Sequence, residues 1–172
     1  MRVMTDPVQM NIVLDRAWYK LPNGRLSMKR VLARFLEFWR EHGEALCHGV
    51  TYHEVAAQLV LMGWLQRIVN GGGFVDREYG VGTGRIDILI RWPLRERVWQ
   101  REALELKVWK PKKPDPLAAG LRQLDGYLDR LALKTGTLVL FDRRPDAEPI
   151  EERCHVTHGT TPSGRRVRVV RA

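Results

Sequence analysis

Between residues 84 and 109 apolar and polar positions alternate in two successive runs, GRIDILIRW and ALELKVW. A period of two is the mark of a half-buried strand. It places Ile86, Ile88 and Ile90 on one face with Asp87 on the other, and Leu104, Leu106 and Val108 opposite Ala103, Glu105 and Lys107. Pro93 to Arg97 is polar enough to reverse the chain between the runs. With FVDREY before them they predict a three-stranded antiparallel meander near residues 74–79, 85–92 and 101–109.

Upstream the period lengthens to that of a helix. Val31, Leu32, Phe35, Phe38 and Trp39 recur at helical spacing from Ser27 to about Glu41, with Gly43 expected to close the element. A second helix is predicted from Thr51 to Asn70-Gly71, apolar on more than one face and so expected to be deeply buried. Thr51 and Glu54 form the T-x-x-E spacing of a capping box, the reading local sequence favours for Glu54 over a carboxylate reaching a metal site beneath the helix.

Downstream, the loop KPKKPDP is stiff and basic, and Asp115-Pro116 predicts the start of a helix over Leu117 to about Leu133. Its stripe is Leu117, Leu121, Leu124, Leu128 and Leu131, flanked by Gln123 and Tyr127 one turn apart, and Gly136 is expected to end it. TLVLF reads as a buried strand, and residues 151–172 as a terminal hairpin with RRVRVVR at the sheet edge. The order of elements predicts an α/β sandwich with a mixed sheet. Residues 1–26 read as an arm packed on a single domain over 27–172, with a core at about 51–145 and the basic hairpin at 151–172.

Composition narrows the partners. Against 20 acidic residues stand 29 Lys plus Arg, a net charge of +9 in 172 residues, which favours a polyanion. No apolar run is long enough to span a bilayer, and no basic helix has a clean apolar face, so a membrane partner is not expected. Cys47 and Cys154 are isolated, indicating neither a zinc site nor a disulfide framework, and a reducing cytoplasm fits. The amino-terminal residues lack the pattern of a secretory signal.

The candidate chemistry lies on the meander. Asp87, Glu105 and Lys107 converge if both strands keep their pleat, and two carboxylates at close range need a cation between them, which a hard divalent metal with oxygen ligands supplies. The competing account is an exposed ion pair on an ordinary sheet, worth about 0–1 kcal/mol. Gly71-Gly72-Gly73 is not a phosphate loop, since no Lys-Ser or Lys-Thr follows and a strand comes next; Gly80, Gly82 and Gly84 read as a turn. Lys112, Lys113, Arg122, Arg130, Arg143 and Arg144 are candidates for holding a nucleic-acid backbone, and Trp109 for stacking on a base or packing in the fold.

Asp87, then Glu105-Leu106-Lys107 on the next strand, then Gln123-x-x-x-Tyr127 on the following helix, resembles the PD-(D/E)XK nuclease superfamily and the Q-x-x-x-Y signature of its RecB-like members. The chain is similar to the PD-(D/E)XK domain at the carboxyl-terminal end of bacterial AAA-like ATP-binding proteins, from roughly Trp39 onward. The resemblance implies a restriction-endonuclease-like αβββαβ sandwich, a central mixed sheet flanked by helices. It implies a Mg²⁺-dependent nuclease, with Mn²⁺ as a substitute, acting on DNA. Asp87, Glu105 and the Leu106 carbonyl would bind the metal, and Glu54 would match the acidic residue of the family's first core helix. Lys107 would orient or help activate the attacking water and offset transition-state charge, with Gln123 and Tyr127 steadying the lysine, the water or the nucleic-acid strand. Ile86 stands where the family name has proline, and no Walker A sequence, hence no nucleotide site, is present. An AAA-like ATPase domain or subunit and a second copy of the chain are the protein partners it suggests. A catalytically silent or partner-activated nucleic-acid-binding module of an ATPase system is the alternative to an enzyme, and a protein-interaction domain is a third.

Overall fold

A computed structural model describes residues 18–47, 53–70, 72–82 and 84–172, apart from the side chains of Cys47, His53 and Glu54. A six-stranded mixed sheet lies between helices on its two faces, in the spatial order β1-β2-β3-β4-β6-β5. The strands are β1 (Phe74–Val81), β2 (Gly84–Arg95), β3 (Val98–Trp109), β4 (Thr137–Asp142), β5 (His155–Thr160) and β6 (Arg166–Arg171). The helices are α1 (Met28–Cys47), α2 (His53–Val69), α3 (Leu117–Arg130) and the single turn α4 (Ile150–Arg153). β1, β2 and β3 form the antiparallel meander, α3 crosses over so that β4 lies parallel to β3, and β6 pairs parallel with β4 and antiparallel with β5.

Two apolar layers follow from the pleat. One joins α1 and α2 to the sheet through Phe35, Trp39, Leu61, Leu65, Ile88, Ile90, Leu104 and Phe141. The other joins α3 to the opposite face through Leu124, Tyr127, Leu128, Leu89, Ala103, Leu138 and Leu140. The arm from Trp18 to Leu26 packs on the first layer, and the Gln100 amide binds both the N–H and the C=O of Leu26. Among the described residues no helix is long and apolar enough to cross a membrane.

Several elements depart from the expectations above. α1 runs through Gly43 to Cys47, because Glu44, Ala45 and Leu46 are good helix formers and one glycine costs only about 1 kcal/mol. α2 buries one face, Ala57, Leu61, Leu65 and Val69, while Val55 and Leu59 stay exposed, so it is not enclosed all round. α3 stops at Arg130, six residues before Gly136: Ala132 takes the left-handed conformation at φ 52°, and Leu133 N–H reaches back to the Leu128 carbonyl at 2.8 Å. RRVRVVR is an inner strand and β5 is the edge. Val167 and Val169 bury toward α3 and Val170 toward the other layer, while Arg168 and Arg171 are compensated by Glu102 at 3.6 Å and Asp115 at 2.7 Å. The predicted Thr51 cap lies outside the described residues.

Candidate metal centre

The site forms where the meander stops being a regular ladder. β2 and β3 are paired as far as Ile88 opposite Leu104. One step further the register would set Asp87 opposite Glu105, but the Asp87 carboxylate replaces the ladder there, accepting from Leu106 N–H at 2.8 Å. A strand residue's N–H and C=O point to the same side, so the Leu106 carbonyl also faces this gap. β1 is irregular at the same level: Glu78, at φ 45°, is skipped in the pairing. Ile86 consequently leaves the face shared by Ile88 and Ile90 and packs with Leu89, Leu124 and Tyr127 instead, against the simple alternation expected of the strand.

α3 closes the site from above. Its stripe seats Leu124 and Leu128 on the sheet, and Gly120 lets its first turn approach β4, since a Cβ there would stand 2.6 Å from Leu138. Gly84 likewise makes room for the Tyr127 ring, which a Cβ would meet at 3.0 Å. Asp115 accepts from Leu117 N–H at 2.9 Å at the start of the helix. Gln123 and Tyr127 thereby face β3. Lys107 Nζ donates to Glu105 Oε1 at 2.6 Å and to Gln123 Oε1 at 2.8 Å, and Gln123 Nε2 donates to the Tyr127 hydroxyl at 3.2 Å. One relay of contacts thus runs from Glu105 through Lys107 and Gln123 to Tyr127, with Asp87 beside it.

The electrostatics weigh against ionising either carboxylate. Glu105 is fully buried, and among the described residues its Oε2 has no hydrogen-bond partner. Burial, and then the charge of Asp87, push its carboxyl up to about 7, against the pull of Lys107. Burial also raises Asp87, opposed by the Leu106 amide and Lys107 and reinforced by the charge of Glu78. Both carboxylates are costly to ionise where they are buried, Glu105 the more so beside Asp87, and a single ammonium on one oxygen leaves a buried oxygen unsatisfied. Two carboxylates and a carbonyl form a hard oxygen donor set of the kind Mg²⁺ accepts while keeping several waters. The unpartnered Oε2 therefore fits a divalent metal. Among the described residues no three His, Cys, Asp or Glu side chains form a metal-binding group; the side chain of Glu54, the fourth expected ligand, lies outside them.

The basic residues are dispersed around this centre. Lys112 and Lys113 are exposed on the loop after β3, and Arg122 is exposed on α3. Arg130 reaches the Val81 carbonyl at 3.4 Å near the β1–β2 turn. Arg143, half-buried after β4, has an unpartnered Nε. Arg144 is already engaged, forked onto Asp142 at 2.7 and 2.9 Å with its guanidinium 3.4 Å from the Trp109 ring centre, so that face of Trp109 is covered.

A cleft of about 340 Å³ that the sequence reading missed opens beside Trp109, lined also by Arg153, His155 and Arg171. Its signal lay in the terminal hairpin, whose residues reach this spot only because β6 is an inner strand. Also missed was the Asp125 carboxylate, which binds Thr161, Ser163 and Arg165 and ties α3 to the β5–β6 turn. Comparison with protein-family models finds no matching family, and comparisons with curated proteins and with solved structures find no match.

Proposed function

We propose that the chain is a divalent-metal-dependent nuclease of the PD-(D/E)XK type that hydrolyses phosphodiester bonds, with DNA as substrate. The observation that carries this reading is Glu105: a fully buried carboxylate with one unpartnered oxygen, beside a second carboxylate and a lysine. Evolution of a merely structural ion pair has no use for an orphaned anionic oxygen in the interior, where an unsatisfied polar group costs about 1–3 kcal/mol. The chain order Asp87, Glu105, Lys107, Gln123, Tyr127 and the layout of a meander followed by a crossover helix support the same reading, as they match the superfamily's pattern.

Asp87, Glu105 and the Leu106 carbonyl would hold Mg²⁺ or Mn²⁺, and the chemistry such an ion supplies when bound is polarisation of the phosphoryl oxygen. Lys107, held between Glu105 and Gln123, presents a fixed positive charge where negative charge develops on the phosphoryl group. Gln123 keeps the ammonium from swinging away and is itself oriented by Tyr127, whose hydroxyl accepts from the Gln123 amide and retains its own proton to donate. Exposed Lys112, Lys113 and Arg122 add sequence-independent, salt-sensitive attraction for the backbone. An AAA-like ATPase domain or subunit and a cytoplasmic setting complete the proposal.

Supercoiled plasmid incubated with Mn²⁺ or Mg²⁺ tests it. Wild type should nick or linearise the plasmid and EDTA should stop the reaction. Lys107→Ala should lose about 10²–10³-fold in rate, the loss expected on removing one preorganised transition-state contact, while still binding DNA. Inert wild type across linear, circular, single-stranded and branched substrates would overturn the proposal.

A further inference from the structure

We propose that the uncovered end of the sheet around Phe74 and Trp99 is a stacking platform for single-stranded nucleic acid. From the Ile88–Leu104 pair toward the hairpin turn, odd-numbered residues of β2 and β3 lie on the α3 face, and Leu89 and Ala103 are buried beneath the helix. Two residues further along, α3 has ended: the carbonyl of Leu131, just past the helix, accepts from Arg101 Nη2 at 3.0 Å, and beyond that point no helix among the described residues lies over this face. The cross-strand row Phe74, Arg91, Arg101 lies there, followed by Pro93 opposite Trp99. On the other face at the same level Trp92 and Gln100 are buried under the arm, so the exposure is one-sided.

Phe74 and Trp99 are 52% and 42% exposed, with ring centres 5.7 Å apart and planes at 50°. The two rings are contiguous and rimmed by polar residues, the arrangement that marks an interaction surface when it is large enough. Its surroundings decide the partner. The Arg91 guanidinium lies 5.0 Å from the Phe74 ring centre and is steadied by Asp76 at 2.7 Å. Arg95, Arg97 and Arg101 are exposed on the same hairpin, which adds three more cations to Arg91 against the nearby Asp76 and the turn residue Glu96. A second copy of the chain, itself at +9, would bring like charge to this patch, whereas a polyanion is complementary to it. Aromatic rings interleaved with arginines suit unpaired bases, whose π-faces are open, and not duplex, whose bases are already stacked. Nothing in this inference requires cleavage; the platform lies along the same sheet face as Asp87 and Glu105 but is separate from them.

The test is binding of the full chain to fluorescein-labelled dT₁₂ in EDTA, beside a blunt duplex of equal length. Wild type should bind the single strand. Phe74→Ala/Trp99→Ala should weaken that binding about tenfold or more, the scale of one or two lost base stacks, leave duplex binding within about twofold, and unfold at the wild-type temperature. Trp99→Phe should retain most of the single-strand affinity. Absence of dT₁₂ binding by wild type, equal losses on duplex and single strand, or a wild-type dimer that the double substitution dissociates without changing dT₁₂ affinity would each overturn the proposal. Plasmid cleavage by the double variant separates this outcome from failure of the nuclease reading, because Lys107 and both carboxylates are untouched.

Discussion

At the scale of single residues Glu105 is the group on which the site turns. A carboxyl whose pKa in the fold is raised, here to about 7 from an ordinary value near 4.5, makes the folded state less stable when ionised. That cost is absent below about pH 4.5, grows as the pH rises to about 7 and is constant above it. Glu105→Gln keeps the shape and removes the charge. In EDTA it should therefore melt several degrees above wild type at pH 8 and close to wild type at pH 4.5, as followed by circular dichroism. A midpoint difference independent of pH would mean that burial of the Glu105 charge is not what the site resists. Asp87, Glu105 and Lys107 were legible in the sequence because alternation puts Glu105 and Lys107 on one face of β3 and the meander sets Asp87 on the adjoining strand, although β2 itself breaks alternation at Ile86. The orphaned Oε2 was not, since it depends on how tightly α3 and β4 close over the carboxylate, and no local pattern encodes that. The covered face of Trp109 was equally hidden: Arg144 lies 35 positions away along the chain and meets it only through the parallel pairing of β3 with β4.

At the scale of elements, strong periodicity located α1, α3 and the meander, and the errors fell where chain reversal or pairing is set by tertiary contact. Ala132 does the work expected of Gly136, because the carbonyls at the end of α3 are satisfied by a reversal that L residues adopt at a cost of about 1–2 kcal/mol. RRVRVVR reads as an edge because of its arginines, but Glu102 and Asp115, both distant in sequence, compensate two of them and admit the strand to the interior. The hairpin that carries β6 is stapled to α3 by Asp125. The Ser163 hydroxyl first, with Thr161 and Arg165, holds that carboxyl down at about 2, although partial desolvation works against them. A depressed carboxyl contributes stability that is fully present above its unfolded pKa of about 3.9 and is lost as the pH falls toward 2. Asp125→Asn should accordingly lower the melting temperature by a few degrees at pH 6, with the gap to wild type closing between about pH 4 and 2. A gap that stays constant across this range would show that the staple does not act through its charge.

At the scale of the whole molecule, one sheet carries both proposed surfaces. Its middle, where β2 and β3 part, gathers the carboxylates and the lysine; its far end presents open aromatic rings among arginines. The net charge of +9 bears on association with a polyanion and not on the fold, and its predicted effect is a binding constant that falls steeply with salt. The central physical claim is narrower, that Asp87 and Glu105 share one divalent cation. Calorimetric titration of Mn²⁺ into the metal-free protein at pH 8 tests it most directly. Wild type should bind one ion per chain, and Asp87→Asn and Glu105→Gln, each folded by circular dichroism, should bind at least tenfold more weakly or not at all. A flat titration for wild type, or one that neither substitution alters, would contradict the claim.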